Sequence, residues 1–373
     1  MYKIRTLYLT LLAVMPIACV ACNAEQPPVE DPTAPPTTAP QTTSPAPTEP
    51  AATPITTEAT GAQEDPAQVE ESETGDRLYY IGFVNQQQRL LMFDLASGEE
   101  SSLFAVPQNA WLSEVAASPD GERLLLAYAP PPEQNQAQFG FTSLYVMPAD
   151  GSGKPKLLLA KEDPSESFFH ISWPLDEIVY YAHFAPSVDD LGVVTYDTRV
   201  ERAHLFTAEV EVLAEDAAWP RLSYDGSRLA YVTEAGELML AAADGASPKV
   251  LVGFEAFSAV DAPLFSVDGD QLYFSAVDLE PGASLSPLDR LLGVKMAQAH
   301  SVPSDWWRVP VETGQELERQ TTIDKVGLYG DFDASGQRLY FVAADGVFAM
   351  GPDGEALIQL LAIPTVPTID WTP

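Results

Sequence analysis

The fold is decided by a short unit that reads Ala117-Ser118-Pro119-Asp120-Gly121-Glu122-Arg123-Leu124-Leu125-Leu126. Close copies begin at Ser223, Ser266 and Asp333, and a degenerate copy begins at Ser172. Each copy predicts a strand, a tight turn and a second strand, because aspartate bonds its own backbone and glycine accepts a positive φ. The second strand is apolar with little polar interruption, a pattern typical of a strand buried on both faces.

A second signal follows the copies: another apolar strand, a glycine turn and a short fourth strand. It occurs at Met92-Phe93-Asp94-Leu95, Leu144-Tyr145-Val146-Met147, Leu238-Met239-Leu240, Trp307-Arg308-Val309-Pro310 and Phe348-Ala349-Met350, with a degenerate member at Leu205-Phe206-Thr207-Ala208. Six such units between residues 77 and 373 give about 50 residues each, the length of a propeller blade. The sequence therefore predicts an all-β protein, a six-bladed β-propeller of four-stranded antiparallel blades. A seventh blade within the long loops is the alternative, which the number of turns disfavours.

The two ends of this repeat region complement each other. Thr368-Ile369-Asp370-Trp371 reads as an inner strand that runs into a turn, and Arg77-Leu78-Tyr79-Tyr80 reads as its missing continuation. We therefore expect the N- and C-terminal strands to share one blade and close the ring, which removes exposed sheet edges.

The unit Ser118-Pro119-Asp120-Gly121-Glu122-Arg123-Leu124, followed by Leu144-Tyr145-Val146-Met147-Pro148-Ala149-Asp150-Gly151, resembles the WD40-like (PD40) repeat of TolB-type six-bladed propellers. The same unit builds the propellers of prolyl-oligopeptidase-like enzymes. The resemblance covers about residues 77–373 and implies the fold rather than a function. TolB carries an additional α/β domain before its propeller, and this chain has a proline-rich segment in that place, so a role in a Tol–Pal system is not carried over.

The first 22 residues predict an export signal. Lys3 and Arg5 precede an apolar run, and small residues follow it up to Cys22. The cysteine placement resembles the lipobox of bacterial lipoproteins, with Cys22 as the favoured lipid acceptor and Cys19 as the alternative. Cleavage by an ordinary signal peptidase would instead release a secreted protein. We expect an exported domain, anchored to the cell membrane only through this lipid and facing the outside or the periplasm.

Residues 23–75 are rich in proline, threonine, alanine and acidic residues, and they contain no lysine, arginine or aromatic residue. Such a segment cannot bury enough apolar area to offset the entropy of ordering, so we predict a disordered linker. The domain division is thus a signal peptide over 1–22, a linker over 23–75 and a propeller over 76–373.

Composition excludes several classes of function. The chain has 54 acidic against 19 basic residues, a formal charge of −35, which disfavours nucleic acid and anionic lipid as partners. Its two cysteines, Cys19 and Cys22, precede the repeats, so the propeller has no thiol chemistry. We expect a monomer without a cofactor.

We find no motif for catalysis or metal binding. The nearest match to a nucleophile elbow, Gly282-Ala283-Ser284-Leu285-Ser286, fails at its last position. The four histidines have no ligand spacing, and the Asp-Gly turns lack the string of acids that calcium loops need. His170 lies in an inner strand and could line the central channel, although a structural role is the favoured interpretation. Catalytic carboxylates cannot be chosen from sequence alone.

Binding groups are expected on three long loops that join second to third strands, Ala129–Phe141, Ala185–Ala203 and Ala276–Ser304. These loops emerge on one face, which we call the long-loop face. The candidate residues on it are Phe139, Phe141, Asp189, Asp190, Leu288, Leu292, Met296 and Trp306. The helical spacing over 287–299 predicts a short amphipathic helix that lies on the propeller, and a partner-binding ridge is the alternative.

The sequence therefore predicts a non-catalytic, extracytoplasmic module that binds a protein, peptide or glycan at the long-loop face and the channel mouth. The alternative is an enzyme of unrecognised type with carboxylates gathered at the channel mouth. A buried group of acids with perturbed pKa values there would favour the enzyme, and an open apolar or polar face would favour binding. Structural support of a surface assembly is a third hypothesis.

Overall fold

Antiparallel strands follow one another through residues 76–132, 140–188, 194–207, 209–279 and 302–372, which a computed structural model describes. They form six four-stranded sheets, which we call blades 1 to 6 in chain order. Blade 1 contains β1 (Arg77–Val84), β2 (Gln87–Asp94) and β3 (Glu100–Ala105), and blade 2 contains β4 (Trp111–Ala117), β5 (Arg123–Ala129), β6 (Ser143–Pro148) and β7 (Lys156–Leu159). Blade 3 contains β8 (Ser167–Leu175), β9 (Ile178–Val188), β10 (Val194–His204) and β11 (Val210–Glu215).

The second half of the chain repeats this arrangement. Blade 4 contains β12 (Ala217–Leu222), β13 (Arg228–Thr233), β14 (Leu238–Ala242) and β15 (Lys249–Val252). Blade 5 contains β16 (Ala259–Phe265), β17 (Gln271–Val277), β18 (Asp305–Pro310) and β19 (Glu318–Arg319). Blade 6 contains β20 (Tyr329–Phe332), β21 (Leu339–Ala343), β22 (Gly346–Met350) and β23 (Ile358–Leu361). The last strand, β24 (Thr365–Thr372), returns to blade 1. The predicted six-bladed propeller is confirmed.

The ring closes as the sequence predicts. Strand β24 pairs with β1 in antiparallel register, with Ile369 opposite Tyr80 and Trp371 opposite Leu78. Blade 1 therefore has the order β24-β1-β2-β3, and β24 lies between the inner strands β20 and β4 of the two neighbouring blades. The ends of the repeat region are joined by a sheet rather than left as two open edges.

The repeated turn is built by side chains that bond the local backbone. The Ser223 hydroxyl donates to Asp225 Oδ1 at 2.6 Å and accepts the Arg228 N–H at 3.0 Å. The turn at Ser266 repeats both bonds at the same distances. Hydrogen bonds from Ser223 and Ser227 hold the pKa of Asp225 at about 2. Gly226 has a φ of 71°, which an L side chain rarely adopts. These bonds explain why the serine, aspartate and glycine recur together.

The core lies between the blades, where the second strands are buried on both faces, as predicted. In β5 every residue after Arg123 is buried, and in β17 every residue between its two ends is buried. Bulky side chains such as Tyr79, Tyr180 and Phe274 have no exposed surface. No helix that is long and apolar enough to cross a bilayer occurs in the described ranges.

One of the three predicted loops is mostly strand. Residues 185–188 and 194–203 belong to β9 and β10, which pair along their whole length from Ile178↔His204 to Val188↔Val194. The prediction of a loop over Ala185–Ala203 was therefore wrong for these residues, because continued backbone pairing extends the hairpin beyond the rim. Most of the other two loops, and the predicted helix over 287–299, lie outside the described residues.

Candidate functional site

A cavity of about 740 Å³ opens at the long-loop face, beside the mouth of the central channel. It lies between blades 3, 4 and 5, and its wall is formed by inner strands and by the hairpin ends of β9–β10 and β13–β14. Its lining residues include aromatic side chains and threonines: Phe169, His170, Phe184, Thr195, Tyr196, Thr198, Trp219, Thr233 and Glu234. We call it the aromatic cavity.

The aromatic rings of this cavity form a continuous series of contacts. The Phe184 and Tyr196 rings stack with centroids 4.6 Å apart and planes 5° apart. The His170 and Trp219 rings stack with centroids 3.3 Å apart. Phe169 connects the two pairs, because its ring lies 4.6 Å from His170 and 6.4 Å from Phe184. The rings hold one another in place, so the cavity wall is preorganised for a ligand with apolar faces.

The inner strands place these rings through irregular backbone. His170 and Trp219 have φ values of 50° and 61°, and Ala262 has 48° at the equivalent position of blade 5. Each stands six residues before the aspartate position of the repeated turn, and the strand register shifts there. Such a φ costs about 1–3 kcal/mol for a residue other than glycine, and it persists only where the surrounding packing imposes it. The bulges turn the His170 and Trp219 rings toward one another across a blade boundary.

The β9–β10 hairpin that carries Phe184 and Tyr196 is supported by a buried ionic network. His183 Nδ1 lies 3.1 Å from Glu201 Oε1, and Arg199 Nε donates to the same oxygen at 2.5 Å. Burial alone would raise the pKa of Glu201, but the bonds and charges of His183, Tyr181 and Arg199 lower it, so this carboxylate is ionised. The network joins both strands of the hairpin and positions the aromatic side chains of its other face.

The opposite mouth of the channel, on the face of the Asp-Gly turns, is polar. Arg221 of blade 4 reaches Asp331 of blade 6 at 2.6 Å, and the Tyr224 hydroxyl donates to the same carboxylate at 2.7 Å. The Trp371 N–H donates to Asp331 at 3.3 Å, and Asp370 accepts the Ala117 N–H at 2.6 Å. These bonds connect blades 4, 6, 1 and 2 around a smaller cavity of about 210 Å³. We call this group the channel ion cluster.

The charges of the cluster perturb one another. The pKa of Asp370 is raised well above its ordinary value, because burial in the channel and the neighbouring charge of Asp331 both disfavour its ionised form. Burial would lower the pKa of Arg221, but Asp331 and the groups around it raise it, so the guanidinium remains charged. Within the described part of the chain, no three metal-ligating side chains come together as a metal site.

The raised pKa of Asp370 predicts how stability depends on pH. The folded state keeps this proton to a higher pH than the unfolded chain does, so its contribution is complete below about pH 3.9 and is lost as pH rises through the folded pKa. We expect Asp370→Asn, which cannot ionise and still accepts the Ala117 N–H, to gain stability over the wild type across this window, by at most about 1.4 kcal/mol per pH unit. Urea unfolding from pH 4 to 8 measures it, and the same change at the exposed Asp176 is the control. Parallel curves for Asp370→Asn and the wild type would contradict the prediction.

Neither of the two predicted face residues that the structure describes, Phe141 and Trp306, lines the aromatic cavity. Phe141 lies beside Lys161, whose Nζ is 5.3 Å from the ring centroid, and it does not line the aromatic cavity. Trp306 is 0% exposed and packs against Phe341 in the core of blades 5 and 6. The prediction that Trp306 belongs to the binding face was therefore wrong. Trp306 follows directly on a predicted loop, but it is the second residue of β18 and points inward. The remaining candidates lie outside the described residues: Phe139, Asp189, Asp190, Leu288, Leu292 and Met296, as do Cys19 and Cys22.

Sequence reasoning missed Trp219, Phe184 and Tyr196, although the cavity opens on the long-loop face and His170, which it singled out, lines the cavity. One signal could have found Trp219, because it holds the same position before its turn aspartate as His170 does. Phe184 and Tyr196 give no such signal, since they fall in a stretch that was predicted to be a loop.

The closed ring, the shared blade and the cavity at one mouth define a six-bladed β-propeller with a candidate binding site at the channel. No family model matches the sequence, and no curated protein matches it. Among solved structures the chain is similar to a putative TolB from Agrobacterium tumefaciens, at 15% identity and a TM-score of 0.51 over 80% of this chain and 99% of that one. It is similar to TolB from Acinetobacter baumannii at 14% identity and a TM-score of 0.52, over 81% of this chain and 68% of that one.

A chain of a nidogen–laminin complex gives 11% identity and a TM-score of 0.53, over 80% of this chain and 99% of that one. At these identities the similarity shows the fold alone. The TolB-like propeller that the repeat indicated is thus confirmed as architecture.

Proposed function

We propose that this protein is a non-catalytic, extracytoplasmic binding module that takes a protein, peptide or glycan at the long-loop face. The observation that carries the proposal is the aromatic cavity, a preformed concave site with stacked rings and a few hydroxyl groups. Its volume falls in the range of ligand sites, which are concave, largely apolar and oriented by a small number of polar groups. The rigid propeller supplies the scaffold on which such a site is held.

The proposal includes export and a lipid anchor at Cys22, with Cys19 as the alternative acceptor and secretion as the alternative fate. The chain enters the propeller at Asp76, next to the turn face, because β1 runs from that face toward the long loops. The point of attachment is therefore at the opposite end of the propeller from the aromatic cavity. Fatty-acid labelling of cells that express Cys22→Ser tests the anchor.

A site-specific crosslink tests the binding site. Tyr196 and Tyr224 are 46% and 45% exposed and lie at opposite mouths of the channel, so they form a matched pair. With a photoreactive benzoylphenylalanine at position 196, we expect a discrete adduct in whole cells that falls about tenfold when Trp219→Ala is added. The same probe at position 224 should give no such adduct. Equal adduct yields from both positions would contradict binding at the aromatic cavity. An adduct at position 196 whose yield is unchanged by Trp219→Ala would contradict it as well.

A second candidate function rests on the channel ion cluster. Asp331 and Asp370 are neighbouring carboxyl groups at a channel mouth, and one of them has a raised pKa, as the enzyme hypothesis requires. However, both carboxylates are engaged with the backbone of neighbouring blades, at Trp371 N–H and Ala117 N–H. This engagement supports a structural role, and we rank the enzyme second. An activity that is lost in Asp370→Asn and kept in Trp219→Ala would reverse that order.

A further inference from the structure

The charge around the aromatic cavity is one-sided. Its described lining residues include one carboxylate, Glu234, one histidine, His170, whose ring stacks on Trp219, and neither lysine nor arginine. Glu234 is exposed at the β13–β14 turn, where its backbone N–H donates to the backbone carbonyl of Asp216 at 2.7 Å. The chain as a whole carries a formal charge of −35, so its field attracts cations and repels anions at this opening.

The aromatic rings add a second attraction of the same sign. The face of an indole or phenol ring carries partial negative charge, and a guanidinium or ammonium within about 6 Å of the ring centroid is attracted to it. Trp219 and Tyr196 are both partly exposed in the cavity, and tryptophan is the best of the aromatic residues for this contact. An anionic ligand would meet neither lysine nor arginine in the described lining, so its charge would have to leave water without a guanidinium or ammonium partner there.

The size of the cavity and its hydroxyl groups indicate what kind of ligand carries the cationic group. A volume of about 740 Å³ exceeds what a single ammonium group needs and suits a ligand of several residues. Thr195, Thr198 and Thr233 each offer a hydroxyl that can donate to or accept from a peptide backbone. Such groups orient an extended segment while a cationic side chain enters the aromatic wall.

We propose that the aromatic cavity binds a basic peptide segment, with an arginine or lysine side chain placed against Trp219 and Tyr196 and within reach of Glu234. This inference rests on the proposed function, because it assigns a ligand class to the same cavity. It attributes selectivity to charge and to aromatic faces, both of which can be altered singly.

The test uses the complete chain and fluorescence anisotropy with a labelled, end-blocked hexapeptide that contains two arginines. Its matched probes replace the arginines by citrulline, which has the same shape without the charge, or by glutamate. We expect the citrulline peptide to bind about ten- to thirtyfold more weakly than the arginine peptide, and the glutamate peptide more weakly still. Glu234→Gln should weaken the arginine peptide several-fold and leave the citrulline peptide unchanged.

Three variants report on the rings. Trp219→Ala and the more exposed Tyr196→Ala should each weaken the arginine peptide about tenfold, and Phe206→Ala, at an exposed position that lines neither cavity, should not. Thermal unfolding of each variant shows whether it is folded, and Tyr196→Ala keeps the test valid if Trp219→Ala is not. Equal affinity for arginine and citrulline peptides, or no binding of the arginine peptide up to 1 mM, overturns the assignment.

The design separates this inference from the function on which it rests. Two results would contradict the basic-peptide assignment and still support a binding module. One is a neutral hexasaccharide whose binding depends on Trp219, and the other is a crosslink at position 196 that shows no preference for arginine. If no probe and no crosslink depends on Trp219 or Tyr196, both the ligand class and the proposed site are wrong.

Discussion

Replacing Ile369 by alanine is expected to lower the free energy of unfolding by about 2–5 kcal/mol, the range for an isoleucine truncated in a packed core. Ile369 has no exposed surface and packs in one cluster with Leu78, Tyr80, Val342 and Val347. That cluster joins the closing strand to blades 1 and 6, so the cavity left by the truncation lies in the seam of the ring. Urea-induced unfolding, followed by circular dichroism, measures the change.

The same substitution at Ile358 is the matched control. Ile358 is 48% exposed at the outer edge of blade 6, so alanine there should change stability by no more than about 0.5 kcal/mol. A deletion of residues 365–373 should have a larger effect, because it removes every backbone hydrogen bond between β24 and β1. It leaves β1 as an unpaired edge strand, so the ring is no longer closed. We expect no cooperative unfolding transition from that variant. If Ile369→Ala and Ile358→Ala had equal effects, the closing strand would not be part of the core.

Replacing Asp331 by alanine is expected to destabilise the protein by about 3–5 kcal/mol, because it leaves the buried Arg221 guanidinium without its carboxylate. The side chains of Arg221 and Asp331 are only 13% and 7% exposed, and their contact at 2.6 Å crosses the channel from blade 4 to blade 6. The change also removes the acceptor of the Tyr224 hydroxyl and one of the two acceptors of the Trp371 N–H. Chemical unfolding at pH 7 measures the loss.

A double variant shows whether the effect comes from the unpaired charge. Arg221→Met with Asp331→Leu removes both charges and keeps apolar volume, so it should be markedly more stable than Asp331→Ala alone. Asp176→Ala, at an exposed position, should stay within about 0.5 kcal/mol of the wild type. A loss of less than about 1 kcal/mol in Asp331→Ala would contradict an ion pair that ties the blades together.

The raised pKa of Asp370 and the cross-channel ion pair have a common origin in the ring. The inner strands bring Asp331 and Asp370 from blades 6 and 1 to one point, although they are 39 positions apart along the chain. Nothing in either local sequence marks them as partners, because each stands in an ordinary strand pattern. For this reason the sequence could not identify which carboxylates lie together. Their clustering at the channel mouth is known from the structure.

The strand pattern of a blade, the number of blades and the closure of the ring could all be predicted from the amino-acid sequence. The blades are recognised by local signals that repeat, namely the serine, aspartate and glycine of the turn and the apolar second strand. The closure is recognised because Leu78–Tyr80 and Ile369–Trp371 each read as one strand of a hairpin whose partner strand is missing nearby in the sequence. Interactions within a hairpin join residues that are close in sequence, so their residue pattern can be recognised without a structure.

The side chains that meet at the mouth of the channel could not be predicted from the sequence and are known from the folded ring. His170 and Trp219 come from different blades, and their stacking depends on two backbone bulges and on the angle between neighbouring sheets. Packing between blades also buries Trp306 in the core, and the long β9–β10 hairpin brings Phe184 and Tyr196 to the cavity. Contacts between blades are set by packing around the ring, and a periodic sequence pattern does not encode them.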